Sequence, residues 1–179
     1  MEQKKPISHF IGGIIIGAVL IIYFLLLNFT GKGQDKTLGW IAYLLYAVGI
    51  IVFINLWGNA KNNNVTFGNL FSYGFKTTAI ATLLIILCLV VVFIAMPDLK
   101  QKMLDGMRKG MEDQGKMDDE KIDQAIGMVS KNFMLIVAGG ALFMYLLFGV
   151  IASLIGAAVT KKNPRNPMEQ LDQLDQSKS

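Results

Sequence analysis

The sequence has few of the residues that usually carry catalysis or bind metals. Cys88 is the only cysteine and His9 is the only histidine among 179 residues. A single thiol excludes an intrachain disulfide, and these two counts exclude zinc sites of the common His/Cys kinds. The sequence also contains no glycine-rich phosphate loop with its lysine, no nucleophile elbow and no paired zinc-binding histidines. It therefore predicts a protein that is not an enzyme and that holds no metal or cofactor.

Charged residues are absent from four long apolar segments, which we expect to cross a lipid bilayer as helices. The segments comprise residues 10–29, 38–58, 77–96 and 133–159. The chain is 53% hydrophobic with a mean hydropathy of +0.47, which is too apolar for an ordinary soluble domain of this size. About 20 residues of helix cross a hydrocarbon core of about 30 Å. Proton relays and ion-coupled transporters usually place charges in such segments, so a proton-driven transporter acting alone is disfavoured.

The first apolar segment has two interpretations, an uncleaved membrane span and a cleaved signal peptide. Its apolar part is too long for a signal peptide, and no small-residue cleavage site follows Leu27, so we favour the span. Within it, Gly13 and Gly17 form a GxxxG pair. Such a pair lets another helix approach closely, but a chance match is an equal alternative in a segment so rich in glycine and isoleucine.

Residues 97–132 form the only long polar segment, and their pattern predicts a helical hairpin outside the membrane. Two apolar stripes recur at helical spacing: Leu99, Met103, Met107 and Met111, then Ile122, Ile126, Val129 and Phe133. Gly115 suits the left-handed residue after a helix, and Asp118 suits the N-cap of the next. Folding the segment about Lys116 brings the stripes into register. We therefore expect Met103, Met107 and Met111 to pack against Ile122, Ile126 and Val129.

The hairpin also admits two metal-binding interpretations. Thioethers are soft ligands that suit Cu(I), although they equally fill irregular contacts between helices. The apolar residues predicted opposite the methionines favour packing. The eight acidic residues of the hairpin nearly all have a basic neighbour, which favours a solvated face over a carboxylate metal site.

The fourth apolar segment is predicted to continue the second arm of the hairpin as one helix from about Asp119 to Thr160, because no proline interrupts it. Small residues share one face of its lower part: Gly149, Ala152, Ser153, Gly156 and Ala157. Small residues let helix backbones approach in lipid. We expect this face to meet another helix, either in this chain or in a second copy.

Aromatic residues indicate where the helices meet the membrane surface. Trp40 and Trp57 lie near the two ends of the second segment, as interfacial anchors do. Phe67, Phe71 and Phe75 share one face of a helix predicted to begin after Thr66. That helix is too long for a simple crossing, so its first turns are expected to lie in the interface.

Basic residues bear on orientation and partners. Unpaired basic clusters at both ends favour cytoplasmic termini, although the total of lysine and arginine is nearly even between the two sides. The net charge of +4 is interpreted as basic flanks that meet anionic lipid, with no nucleic-acid partner. Residues 1–165 are expected to form a single four-span domain, followed by a disordered polar tail over residues 166–179.

Four features together match a known family. They are the four-span plan, the segment Thr66-Phe67-Gly68…Phe71…Gly74-Phe75, the polar helical stretch before the fourth span, and the exit Lys161-Lys162-Asn163-Pro164. With these features the chain resembles the bacterial membrane family catalogued as domain of unknown function 4199, over roughly Lys5 to Arg165. The resemblance implies a multi-pass protein of the bacterial inner (cell) membrane. It supplies no catalytic residue, because the family has no established activity.

The sequence thus predicts an all-α integral membrane protein with four transmembrane helices and an extramembrane hairpin between the third and fourth. The leading functional hypothesis is a non-enzymatic accessory or scaffold subunit that acts through helix packing and its hairpin. An oligomeric transport or channel component is the alternative, and a Cu(I)-responsive membrane protein is a further one. The expected partners are the lipid bilayer and either a second copy of the chain or another membrane protein.

Overall fold

The computed structural model describes residues 6–33 and 35–163, which form six α-helices and no strand. Helix α1 spans His9–Phe29, α2 Lys36–Ala60, α3 Phe67–Ala95, α4 Pro97–Glu112, α5 Asp119–Lys131 and α6 Phe133–Val159. Four of these, α1, α2, α3 and α6, are long and apolar enough to cross a membrane. The predicted four-span helical fold is therefore confirmed, and the chain is a multi-pass membrane protein. The predicted disordered tail lies outside the described residues.

Short polar side chains fix where the helices begin. Ser8 accepts a hydrogen bond from the backbone N–H of Ile11 at 3.3 Å, and Asp35 caps α2 in the same manner. Thr66 caps α3 in a reciprocal capping box with Asn69. Such caps satisfy backbone donors that the first turn of a helix leaves without a partner.

Helix α3 occupies the centre of the bundle, with α1 on one side and α6 on the other, and α2 packs beside α1 and α6. Gly13 and Gly17 lie directly against Ile80 and Leu84, so α1 and α3 run parallel at close range. A Cβ atom on Gly13 would lie 2.6 Å from the Ile80 Cβ. The GxxxG pair is therefore a packing feature of this chain and not a chance match.

The bundle interior contains polar groups, several of which form hydrogen bonds within it. Tyr46 is fully buried, and its hydroxyl lies 3.0 Å from the Thr82 hydroxyl and donates to the Thr78 carbonyl at 3.3 Å. The Thr77 hydroxyl donates to the Tyr73 carbonyl at 2.9 Å. The Tyr46 bonds link α2 to α3 in the buried interior, whereas the Thr77 bond lies within α3.

Helices α4 and α5 form the predicted antiparallel hairpin. Gly115 adopts a φ of +60°, the left-handed conformation expected after the first arm. Asp118 accepts a hydrogen bond from the Lys121 backbone N–H at 3.0 Å and so caps α5.

The predicted continuous helix from Asp119 to Thr160 is wrong, because the helix breaks at Asn132. This residue has φ −109° and ψ 22°, outside the helical range. Its side-chain amide donates to the Met128 carbonyl at 3.2 Å. Asparagine side chains compete for the backbone hydrogen bonds of a helix, so a break can occur where neither proline nor glycine is present.

Candidate functional site

An open cavity of about 720 Å³ lies at the end of the bundle where α1 and α3 end and the hairpin begins. From α1 and the turn after it come Phe24, Asn28, Gly31 and Gly33. From the end of α3 and from α4 come Phe93, Leu99, Lys102, Met103, Gly106, Met107, Gly110, Met111 and Gln114. We call this cavity the methionine groove. Its volume falls within the range of about 300–1,000 Å³ that is typical of ligand pockets.

The methionine groove takes its shape from the residue order of α4. Met103, Met107 and Met111 recur every four residues and therefore share one face of the helix. Gly106 and Gly110 lie between them and add no side chain to the wall. Glycine weakens a helix by roughly 1 kcal/mol relative to alanine. At these two positions it leaves the space between the methionines open.

The buried contact at the hairpin base comes from Leu104, which belongs to neither of the predicted apolar stripes. Leu104 is 5% exposed and forms a cluster with Phe93 and Phe133, against which Ile126 and Val129 pack. Met103, Met107 and Met111 line the groove, and their expected packing against α5 stays a prediction. Spacing identifies which residues share a helix face, but it does not say which neighbour that face meets. Lys100, Leu104 and Arg108 follow one another at intervals of four residues and therefore share one face of α4. Lys100 and Arg108 both bond to α5, so this spacing is the signal in the sequence that could have identified Leu104.

Polar contacts hold the two arms of the hairpin in register. The Arg108 guanidinium donates to the Asp123 carboxylate, and the Lys100 ammonium donates to the Ser130 carbonyl at 3.1 Å. The residues of both pairs lie at nearly equal distances along the chain from Gly115, so the hairpin turns there, close to the predicted centre at Lys116. The hydrogen bond to Asp123, helped by its charge, raises the pKa of Arg108.

An aromatic pair attaches the hairpin to the bundle. Phe93 at the end of α3 meets Phe133 at the start of α6 edge to face, with ring centroids 5.0 Å apart. The Lys100 ammonium lies 5.4 Å from the centre of the Phe133 ring, within range of a cation–π contact. The aromatic contact joins the two points at which the chain enters and leaves the hairpin.

The five small residues of α6 are all buried inside the chain: Gly149, Ala152, Ser153, Gly156 and Ala157. A Cβ atom on Gly149 would lie 2.2 Å from the Thr78 Cγ2, and one on Gly156 would lie 2.7 Å from the Ile54 Cδ1. The helix that meets this face is therefore α3, with α2 beside it, and both belong to the same copy of the chain.

The aromatic residues predicted at the membrane surface lie near helix ends. Trp40 is 59% exposed near the start of α2, whereas Trp57 near its other end stacks on Tyr73 with centroids 5.0 Å apart. Phe67, Phe71 and Phe75 stack in sequence along the first turns of α3. Phe67 and Phe75 are exposed, so part of this phenylalanine face points away from the bundle.

The described residues contain no cluster of three or more His, Cys, Asp or Glu side chains that could hold a metal ion. The methionines form a line rather than a cluster. From Met103 to Met111 the helix rises about 12 Å at 1.5 Å per residue. Their backbone positions are therefore too far apart for all three to converge readily on one ion.

Comparison with known protein families matches residues 12–162 to a family described as Protein of unknown function (DUF4199). Comparisons with curated proteins and with solved structures gave no match.

Proposed function

The chain belongs to DUF4199, a family of proteins of unknown function, and we propose that it is a non-enzymatic accessory subunit of a membrane assembly. The open methionine groove is the observation that carries this proposal. It lies where α1 leaves the membrane-spanning part, between that helix and the hairpin. A partner bound there would contact the bundle and the hairpin together.

The chemistry of the groove favours an apolar stretch of a partner membrane protein as its occupant. Methionine side chains are flexible and polarisable, and such side chains recur at surfaces that accept varied apolar partners. Phe24 and Leu99 add further apolar wall, while Asn28 and Gln114 add amide groups. An amphipathic helix lying at the membrane surface has the matching pattern, with apolar side chains for the methionines and polar ones for the amides.

The packing of the spans supports an accessory role over a self-assembled pore. The small-residue face of α6 is the surface best suited to contact with a second copy, and it is already covered by α3 and α2. The four predicted spans also carry no acidic or basic residue that would select or couple an ion.

Purification in mild detergent, followed by identification of partners by mass spectrometry, tests the proposal. We expect a membrane protein to co-purify with the wild type and to be lost from Met107→Glu, which places a charge in the groove. Met128→Glu is the matched control, because Met128 is 67% exposed on α5 and lies outside the groove. Retention of the same partner by Met107→Glu would contradict the proposal. A symmetric homo-oligomer that conducts ions would instead support a transport or channel component.

The competing hypothesis is that the same methionines bind Cu(I) and that the protein responds to this ion. The three methionines are spread over about two turns of helix, which is too far for all of them to reach one ion readily. We therefore expect no stoichiometric Cu(I) binding by the purified protein. Stoichiometric binding that disappears when Met103, Met107 and Met111 are all changed to leucine would refute this expectation and favour the copper hypothesis.

A further inference from the structure

A second cavity, of about 390 Å³, lies at the opposite end of the bundle, where α1 and α3 begin and α2 ends. Its polar lining includes Ser8, His9, Lys61, Asn69, Ser72 and Lys76. We propose that this cavity binds a phosphate group, and that the headgroup of an anionic phospholipid supplies it. Nothing in the proposed accessory role requires this site.

The charge distribution makes this end of the bundle suitable for an anion. Lys61 and Lys76 both line the cavity, and the ion pairs formed by the described residues all lie in the hairpin. The described acidic residues are Asp35, in the turn after α1, and those of residues 97–132. All of them therefore lie at or beyond the hairpin end. The two lysines face the cavity with no described carboxylate at their own end to neutralise them.

Neutral groups in the cavity complement the two positive charges. Ser72 offers a hydroxyl and Asn69 offers an amide, both of which donate hydrogen bonds to phosphate oxygens. The Asn69 side-chain oxygen Oδ1 accepts hydrogen bonds from the backbone N–H and the hydroxyl of the N-cap Thr66, which hold the side chain in place. Lysine binds phosphate as a point charge, so neutral donors of fixed geometry add directionality to the site.

A stacked aromatic pair forms the apolar wall of the cavity. The Trp57 and Tyr73 rings are nearly parallel, at 19°, and their centroids lie 5.0 Å apart. The Tyr73 hydroxyl donates to the Ile7 carbonyl at 3.1 Å, which ties the segment before α1 to the same wall. Aromatic residues with one polar end are common at the headgroup level of membranes.

The position of the cavity along the helices favours a lipid as the source of the phosphate. Lys76 immediately precedes the uncharged segment of residues 77–96, and His9 immediately precedes that of residues 10–29. The cavity therefore lies at the level where headgroups meet the hydrocarbon core. Phe10, which follows His9 in α1, is 54% exposed and adds an apolar side chain at this end of the uncharged segment. Basic pockets between membrane helices at this level are known lipid headgroup sites.

Native mass spectrometry of the full chain in nonionic detergent, with added phosphatidylglycerol or phosphatidylcholine, tests the proposal. We expect phosphatidylglycerol to be retained in preference to phosphatidylcholine. Its affinity should fall about 30-fold when Lys61→Gln and Lys76→Gln are combined, given the usual contribution of a lysine near an anionic lipid. Lys161→Gln is the matched control for Lys61→Gln and Lys76→Gln tested singly, because each of the three removes one positive charge at this end and only Lys161 lies outside the cavity.

Three other outcomes would overturn all or part of the proposal. Unchanged retention of phosphatidylglycerol by a folded double variant would exclude the cavity as the site. If Lys161→Gln lowers the affinity for phosphatidylglycerol as much as Lys61→Gln or Lys76→Gln alone, the loss reflects a general attraction to basic charge. That result also excludes the cavity as the site. If inorganic phosphate binds with the same lysine dependence and phosphatidylglycerol does not, the phosphate chemistry stands and the lipid source is wrong. Circular dichroism confirms that each variant is folded before binding is compared.

Discussion

The contact between α3 and α6 and the hairpin of α4 and α5 are both antiparallel helix pairs, yet different side chains hold them together. In the first pair, Gly149 lies against the Thr78 side chain, and Gly74 lies against the Ser153 side chain, so the two helices pack closely. In the second pair, Leu104 is buried at the base while Arg108 and Asp123 form a hydrogen-bonded ion pair at the surface. The contrast follows from the surroundings of each pair, because α3 and α6 are apolar spans in lipid and the polar hairpin lies outside the membrane.

Close packing is the main source of attraction between helices in lipid, because lipid tails are as apolar as the side chains themselves. Outside the membrane, burial of a few apolar side chains is itself favourable. The stability of the α3–α6 contact should therefore depend on side-chain volume and not on salt or pH. The stability of the hairpin should depend on buried apolar area, and more weakly on salt and pH.

The largest effect is expected from Gly149→Leu. A Cβ atom there would lie 2.2 Å from the Thr78 Cγ2, so the larger side chain must force α3 and α6 apart. We expect a loss of more than about 3 kcal/mol, or failure to assemble, measured by thermal unfolding in detergent. Gly139→Leu on the same helix is the matched control, because a Cβ atom at Gly139 meets nothing within 4 Å. Equal effects of the two substitutions would contradict this account of the α3–α6 contact, as would a strong effect of Leu147→Ile.

Leu104→Ala should have the next largest effect, confined to the hairpin. Leu104 is 5% exposed, and truncation of a buried leucine typically costs about 2–5 kcal/mol. Hydrogen–deuterium exchange should show faster exchange in α4 and α5, with protection of α3 and α6 unchanged. Met128→Ala, at a position that is 67% exposed, should leave all four helices unaffected. Loss of protection throughout the bundle would show that the two regions do not unfold separately.

Arg108→Gln should produce a smaller effect that depends on salt. The side chain is well exposed, so its ion pair with Asp123 is screened by solvent ions. Exchange in the hairpin should be slightly faster than in the wild type at low salt, and the difference should vanish at high salt. Lys109→Gln removes the same charge one residue away and should have less effect. A difference that persists at high salt would indicate that Arg108 contributes by packing rather than by charge.

The smallest effect is expected from acidification, through the N-cap of α5. The hydrogen bond from the Lys121 ammonium, with a second from the Lys121 backbone, lowers the pKa of Asp118 from its ordinary value of 3.8. A lowered pKa in the folded state means that the ionised carboxylate stabilises the hairpin above about pH 3.8. This contribution is lost as the pH falls below that value, through the folded pKa.

Asp118→Asn separates the charge from the cap, because asparagine is also a good N-cap residue. In the variant, circular dichroism should show less loss of helix between pH 6 and pH 3 than in the wild type. Helix loss of equal size in both proteins would assign the acid sensitivity to other carboxylates.

The comparison of the two regions also explains which features the sequence could predict. The spans and the hairpin follow from apolar length and from helical spacing, which depend on composition along the chain. The small residues of α6 indicate a close contact, but nothing in their spacing names α3 as the neighbour. The spacing of α4 does not single out Leu104, because the methionine stripe beside it is more regular. Neither proline nor glycine marks the break at Asn132, whose side chain bonds to the Met128 carbonyl, so apolar spacing does not predict it.

The methionine groove could not be predicted for a related reason. One of its walls is the end of α1 and the other is α4, about 70 positions later in the chain. The pattern of α4 shows that it has a methionine face, but only the bundle determines that this face meets Phe24 and Asn28. Contacts between segments so distant in sequence leave no periodic signal in either one.

The break at Asn132 also sets how the hairpin can move. Met96 alone separates α3 from α4, and Asn132 alone separates α5 from α6, so the hairpin is joined to the spans by two single-residue joints. The contact between Phe93 and Phe133 keeps these joints side by side. Because the helices break at both joints, the direction of the hairpin does not have to follow the axes of α3 and α6. Leu104 of α4 packs in one cluster with Phe93 and Phe133, so a displacement of α4 relative to the end of α1 would disturb buried side chains beside both joints.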